Sequence, residues 1–295
     1  MSDGATDRPA LSVLIGTRQP LSALRGVFDA TIPQVRAVGG EIVVVSSAGD
    51  DGSDAPPEVR FLSMDGDHDM MRLRACGLVA VRGQVIAIGE DHAYPTPGWA
   101  EAVLRAHAEH PTKAVIVGCL INRTTRTTAA RANFLAYAAP FSPPMPEAPP
   151  RPPPASAVTI KREALDGADL APGCFETELL PQLFEEGRMA SDDAIRVDHY
   201  QDFNTFRAIR SAFAVARASY GYARARWDRR QQWATARWAF VHVAPLSIRE
   251  ARAERARAES PRRDLIVVGL IAVALGIGAV VGTFWGPGGA AFRTP

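Results

Sequence analysis

At 295 residues, with 47% hydrophobic and 22% charged side chains, the chain has the composition of a folded protein with a sizeable core. A net charge of +1 argues against a nucleic-acid binder that relies on bulk positive charge, so no nucleic-acid partner is expected. Three cysteines, Cys76, Cys119 and Cys174, are too few and too widely spaced for a disulfide framework or a zinc site, and read as buried or incidental thiols.

Residues 1–9 are polar, lack the apolar run of a signal peptide, and are expected to be disordered. Residues 11–15 (LSVLI) form a first strand, followed by Gly16, Thr17 and Arg18 and a helix-like stretch ending near Val38. Residues 41–45 (EIVVV) repeat the pattern and end in a polar loop from Ser46 to Pro57. Val59 to Leu62 predicts a third strand, Met70 to Val81 a helix, and Gln84 to Ile88 a fourth strand. Trp99 to His110 predicts an amphipathic helix with Val103 and Leu104 inward, and Ala114 to Val117 a fifth strand. Short apolar runs alternating with helices predict an α/β domain over 10–138, its mostly parallel sheet covered on both faces. Such sheets bind ligands at the carboxyl ends of their strands. The loops 16–18, 46–54 and 89–98 occupy that edge and are polar, which makes them the expected ligand site.

Between Pro140 and Pro154 nine of fifteen residues are proline, which excludes helix and interior strand. The segment 139–156 therefore reads as a Pro-rich loop, either a linker or the wall of an acceptor cleft. Residues 157–202 are assigned to the acceptor side, and 203–263 to an Arg-rich, helical, membrane-proximal region. Within it, Phe206, Ile209, Phe213, Ala216 and Tyr220 form a helical apolar stripe, with Arg210, Arg217 and Arg224 off that stripe. Trp233 to Ile248 is apolar but interrupted by Arg237, His242 and Pro245, which suits an in-plane or re-entrant segment.

Leu265 to Trp285 carries no charge, and at ~1.5 Å rise per residue it reaches across a hydrocarbon layer of about 30 Å. Residues 264–286 are accordingly expected to form a transmembrane helix, with 287–295 as a short tail. Arg249, Arg252, Arg255, Arg257, Arg262 and Arg263 precede the span and only Arg293 follows it. The positive-inside bias then predicts a single-pass protein of the cell membrane, with residues 1–263 cytoplasmic and the tail outside.

The densest chemical signal is IGEDHAYPTPGW, residues 88–99, where a strand ends in two carboxylates and an imidazole. Side chains at i and i+2 of an extended backbone point the same way, so Glu90 and His92 are placed to share one Mg2+ or Mn2+ while Asp91 faces elsewhere. An acidic loop without metal fits the spacing equally well.

The segments SVLIGTR, EIVVVSS and LRACGLVAVRGQVIAIGEDHAYPTPGW together resemble the family 2 glycosyltransferases, over roughly residues 10–200. The resemblance implies the GT-A fold, a nucleoside-diphosphate sugar as donor, and a divalent cation, Mg2+ or Mn2+, held by the strand-end acidic motif. That motif falls on Glu90, Asp91 and His92, and Arg74, Gly77 and Gly83 match the preceding helix. Ser46 and Ser47 stand where an aspartate usually contacts the nucleoside, so Asp50 or Asp51 is expected to take its place. With Thr17, Arg18, Arg74, Asp91 and His199, these make the expected donor-binding set. In GCFETELLPQLFEEG (173–187), Glu176 falls on the catalytic-base position of inverting members, with Glu178 as the alternative. His199 matches a later histidine that serves as metal ligand or diphosphate contact. The implied function is transfer of a sugar to a lipid-linked or polysaccharide acceptor at the cytosolic membrane face. The competing reading is a relative of the same fold that binds nucleotide-sugar, or acts as a scaffold, without turnover.

Overall fold

The computed structural model describes residues 8–288 apart from 257 and 259. Of the residues 1–9 expected to be disordered, 1–7 lie outside the described residues, as do Arg257, Arg293 and the tail 289–295, while Pro9 O accepts from Gln84 N at 2.9 Å. The expected strands appear as β1 (Leu11–Thr17), β2 (Glu41–Ser46), β3 (Val59–Ser63) and β4 (Val85–Glu90), with helices α1 (Arg25–Ala37) and α2 (Met70–Ala80) between them. The short strand β5 (Ala93–Pro95), α3 (Trp99–Glu109), β6 (Val115–Asn122) and α4 (Thr128–Tyr137) follow. Beyond the prolines come β7 (Val158–Lys161), α5 (Leu180–Glu185) and β8 (Met189–His199).

All eight strands join one sheet in the order β3-β2-β1-β4-β7-β6-β8-β5. β1 pairs in parallel with β2 and β4, β2 with β3, and β6 with β8; β7 runs antiparallel between β4 and β6. β1, β4 and β8 consequently end on the same edge. Every residue of β1 is buried, as expected of a central strand covered on both faces. Gly77 of α2 explains the close seat of that helix on β1: a Cβ there would stand 2.1 Å from Leu14 Cδ1.

The Pro-rich stretch does not end the sheet, because β7 and β8 return to it. It is fastened along β8 by hydrogen bonds from Met145 N to Asp193 Oδ1 and from Ser191 N to Glu147 O, each 2.9 Å. Among the cysteines, Cys119 and Cys174 are buried and Cys76 is half-buried, all as free thiols.

Three helices complete the chain: α6 (Thr205–Ala223), α7 (Arg229–Glu254) and α8 (Asp264–Trp285). Helix gives way at Trp227 and Asp228, where the Asp228 side chain accepts from Gln231 N and starts α7. α7 then runs through Pro245 without interruption. Most of the expected stripe of α6 faces inward: Ile209 and Phe213 pack on the core, Ala216 is buried and Tyr220 packs beside it, joined by Ala208, Ala212 and Gly221, while Phe206 is 71% exposed. Small residues recur on that face because α8 lies so close that larger side chains have little room. α8 is long and apolar enough to cross a membrane by length and composition, with mean hydropathy 2.8. Its first residue, Asp264, is fully buried and paired with Arg131 of α4 at 2.8 Å.

Candidate active site

Strand register brings the site together. β1 and β4 pair so that Gly16 lies opposite Glu90, which leaves Thr17 beside the end of β4. The chain then turns into β5, whose antiparallel pairing sets Ala93 opposite His199 at the end of β8. Tyr200 N donates to His92 O at 2.9 Å and closes the junction. Two histidines far apart in sequence thus stand with ring centroids 4.7 Å apart, edge to face.

Glu90 Oε2 lies 3.4 Å from His92 Nε2 and 3.5 Å from His199 Nε2. One ligand atom from each of the three residues falls within a 4.8 Å circle. His92 Nε2 is buried and has no hydrogen-bond partner. Its orientation is set from behind: Asp91 Oδ1 accepts a hydrogen bond from Nδ1 at 2.7 Å, and Asp91 Oδ2 accepts from Thr17 Oγ1 at 2.9 Å. With Nδ1 as donor, the Nε2 lone pair points at Glu90 and His199, the arrangement that second-sphere carboxylates impose on metal-binding histidines. One carboxylate and two imidazoles make a donor set that fits a divalent ion, and the orphaned His92 nitrogen is the observation that favours one.

Arg74, from the middle of α2, reaches both carboxylates of the site. Its Nη2 is 3.2 Å from Glu90 Oε1 and its Nη1 is 3.2 Å from Glu176 Oε1. Burial alone would raise the Glu90 carboxyl, but the His199 hydrogen bond and the charges of His92 and Arg74 outweigh it and hold it at about 2. Burial opposes protonation of His92, yet the Asp91 hydrogen bond and the Glu90 charge prevail and raise it. Glu176 goes the other way: burial raises its carboxyl and Arg74 only partly offsets that. Glu176 and Glu178 both sit on one π-helical turn, Phe175–Leu179. Two residues apart on a helix they diverge, so Glu178 pairs with Arg226 at 2.6 Å and stays outside the cluster.

Of the remaining candidates, Ser47, Asp50 and Asp51 line a neighbouring cleft of about 510 Å³ at the ends of β2 and β3, together with Asp67. The Ser47 hydroxyl is buried without a partner. Ser46 Oγ accepts from Ala48 N at 3.1 Å, Asp50 from Leu21 N at 3.1 Å, and Asp51 from Ser53 N at 2.9 Å. Arg18 is paired with Asp67 at 2.7 Å. Asp67 and Arg226 escaped the sequence reading because neither stands in a motif; only the fold brings them to their partners.

The sequence matches no protein-family model and no curated protein. The structure resembles the mannosyltransferase PcManGT from Pyrobaculum calidifontis, solved with GDP-Man and Mn2+. The TM-score is 0.58 at 16% identity, over 95% of this chain and 88% of that one. A mycobacterial protein superposes with TM-score 0.51 at 16% identity, over 71% of this chain and 73% of that one. At such identities the likeness is one of architecture. The chain has the GT-A fold that its resemblance to the family 2 glycosyltransferases implies.

Proposed function

We propose that the protein is a glycosyltransferase that moves a sugar from a nucleoside-diphosphate donor to a lipid-linked or polysaccharide acceptor at the cytosolic face of the cell membrane. The convergence of Glu90, His92 and His199 beside the Arg74–Glu176 pair, at the carboxyl edge of a GT-A sheet, carries this reading. The nucleoside occupies the cleft walled by Asp50, Asp51 and Asp67, whose carboxylates accept hydrogen bonds from ribose hydroxyls and base N–H groups. The diphosphate then lies toward Glu90, His92 and His199. A divalent cation bound by these three would offset the charge that builds on the departing diphosphate. Mixed nitrogen and oxygen ligands suit Mn2+ better than Mg2+, which prefers oxygen alone.

Glu176 takes the proton of the acceptor hydroxyl as its oxygen bonds to the anomeric carbon and the bond to the diphosphate oxygen breaks. A raised carboxyl is a better base than an ordinary one, provided the pH exceeds its pKa. Arg74 is a positioning residue: it fixes Glu176 against Glu90 and lowers the cost of burying both charges. On the acceptor side a cleft of about 600 Å³ opens beside Thr177, walled by Tyr220, Trp227 and Trp238. Its aromatic lining favours an acceptor with an apolar portion over a wholly polar one.

Donor turnover with Mn2+ present tests the proposal. Wild-type protein is expected to consume a nucleoside-diphosphate sugar, and Glu90→Ala combined with His92→Ala to lose that activity. Turnover unchanged by the double substitution would remove this site. Donor binding without turnover, indifferent to Glu176→Gln, would establish the non-catalytic reading instead.

A further inference from the structure

Length and flanking charge suggest that α8 crosses the bilayer, but its packing points elsewhere. α6 and α8 run side by side in the same direction. A Cβ on Gly278 would stand 2.3 Å from the Phe213 carbonyl oxygen, and one on Gly282 would stand 2.3 Å from that of Arg217. One turn further on, Gly221 abuts Pro287. The first half of α8 is held as well: Val267, Val268 and Ile271 are buried in the core shared with the sheet.

α6 in turn is fastened to the catalytic domain at both ends. Ahead of it, Gln201 N donates to Thr124 Oγ1 at 2.8 Å and Thr127 Oγ1 to Phe203 O at 3.4 Å. At its far end, Tyr222 Oη donates to Asp69 Oδ2 at 2.5 Å and accepts from Arg72 Nε at 2.9 Å. Arg226 then pairs with Asp169 at 2.7 Å and with Glu178 on the π-helical turn. Placing α8 across hydrocarbon would carry α6 with it, including Arg207, Arg210 and Arg217, and the polar catalytic domain alongside. A bilayer interior does not admit that much unscreened polar surface.

The outer face of these helices is rich in large apolar side chains, with arginines such as Arg237 among them. Eleven of the thirteen exposed large hydrophobic residues among the described residues lie on α6, α7 and α8. On α8 they form one stripe, Ile266, Leu270, Val273 and Ile277, at the spacing of a single helix face. Trp233 of α7 extends it, its ring 4.8 Å from that of Phe284. Phe240, two turns along α7 from Trp233, is 74% exposed.

Charge identifies what covers this face. Residues 203–263 hold fourteen of the chain's 33 basic residues and four of its 32 acidic ones. Arg229 and Arg230 are exposed at the start of α7, and Arg262 and Arg263 at the start of α8. A second copy of the chain would set this excess of positive charge against itself. An anionic lipid surface matches both the arginines and the exposed tryptophans. We propose that α6, α7 and α8 form a platform that lies flat on an anionic bilayer, with α8 in the plane of the membrane rather than across it.

Full-length protein is floated with vesicles of phosphatidylcholine alone and of phosphatidylcholine with one-third phosphatidylglycerol, without donor or metal. The expected result is binding to the anionic vesicles that salt weakens, with affinity about tenfold lower for the neutral ones. The variant Ile266→Ser, Leu270→Ser, Val273→Ser, Ile277→Ser should keep the wild-type melting temperature and bind at least about tenfold less tightly. If it does not fold, Phe240→Ser with Trp233→Ser takes its place. In sealed membrane vesicles from expressing cells, tags at the two chain ends should be cut by external protease together or not at all. Tags on opposite sides of the membrane overturn the proposal. So does a folded variant that binds as wild type does, or a wild-type protein that ignores vesicles whether monomeric or dimeric. No arm uses the donor, so the outcome is separate from that of the transferase reading.

Discussion

Asp91 works from behind the proposed metal ligands, by holding His92 in place. One of its oxygens holds Thr17 and the other holds the Nδ1 proton of His92, so the imidazole presents Nε2 to Glu90 and His199. Removing that support should cost metal affinity rather than fold. Asp91→Ala is expected to weaken Mn2+ binding by about 10–100-fold, measured by calorimetry. Arg74 acts on charge. It is the partner of two largely buried carboxylates, and Arg74→Ala leaves Glu176 unpaired and Glu90 with its histidine partners alone, at a cost of about 3 kcal/mol in a urea melt. It also opposes the rise of the Glu176 carboxyl. A base whose pKa is raised is fully ionised above that value and is lost as pH falls through it. The acid limb of kcat should therefore lie above the ordinary glutamate value of about 4.3. In Arg74→Gln it should move higher still. An acid limb that stays put in this variant would show that Glu176 is not the titrating base.

At the scale of elements, the π-helical turn and the sheet register decide which residues meet. Arg226 clamps the turn through Glu178 and also reaches Cys174 Sγ at 2.8 Å. Arg226→Ala should let Glu176 drift, and a displacement of that kind is expected to lower kcat about tenfold while leaving donor affinity unchanged. Gly77→Ala would force a methyl into Leu14, and should destabilise the fold by about 1–3 kcal/mol in a thermal melt. The first four strands were legible in the sequence because each is a short, unbroken apolar run. β7 and β8 were not. β7 has only four residues after the prolines, and β8 carries a bulge opposite Gly118 and Cys119 that breaks its apolar alternation with Asp192 and Asp193. Since β8 was hidden, nothing local predicted that His199 would stand beside His92; only the family resemblance singled that residue out. Glu90 and His92 could be read from strand geometry, whereas the Arg74 bridge needed the helix and the π-helical turn in place. The stripe of α6 was legible except at Phe206: helical periodicity reports an apolar face, but not where along the helix its packing partners end.

The whole molecule divides its labour between a sheet that presents the site and a helical platform packed along it. α6 joins the two, since its end contacts both α2, which carries Arg74, and the turn beside Glu176. Gly282→Leu would drive α8 off the backbone of α6, and should lower the melting temperature while also reducing membrane recovery of the protein. Charge is divided in the same way, with arginine concentrated in the helices although the chain is nearly neutral. Everything chemical in this account depends on Glu90, His92 and His199 binding one divalent ion together with a diphosphate. Titration calorimetry of the full-length protein with GDP and UDP, with and without Mn2+, measures that directly. Nucleotide binding strengthened by Mn2+, weaker strengthening by Mg2+, and loss of the metal effect in His199→Ala are expected. Folded wild-type protein that binds neither nucleotide with Mn2+ present, or a His199→Ala variant that keeps the full metal effect, would contradict it.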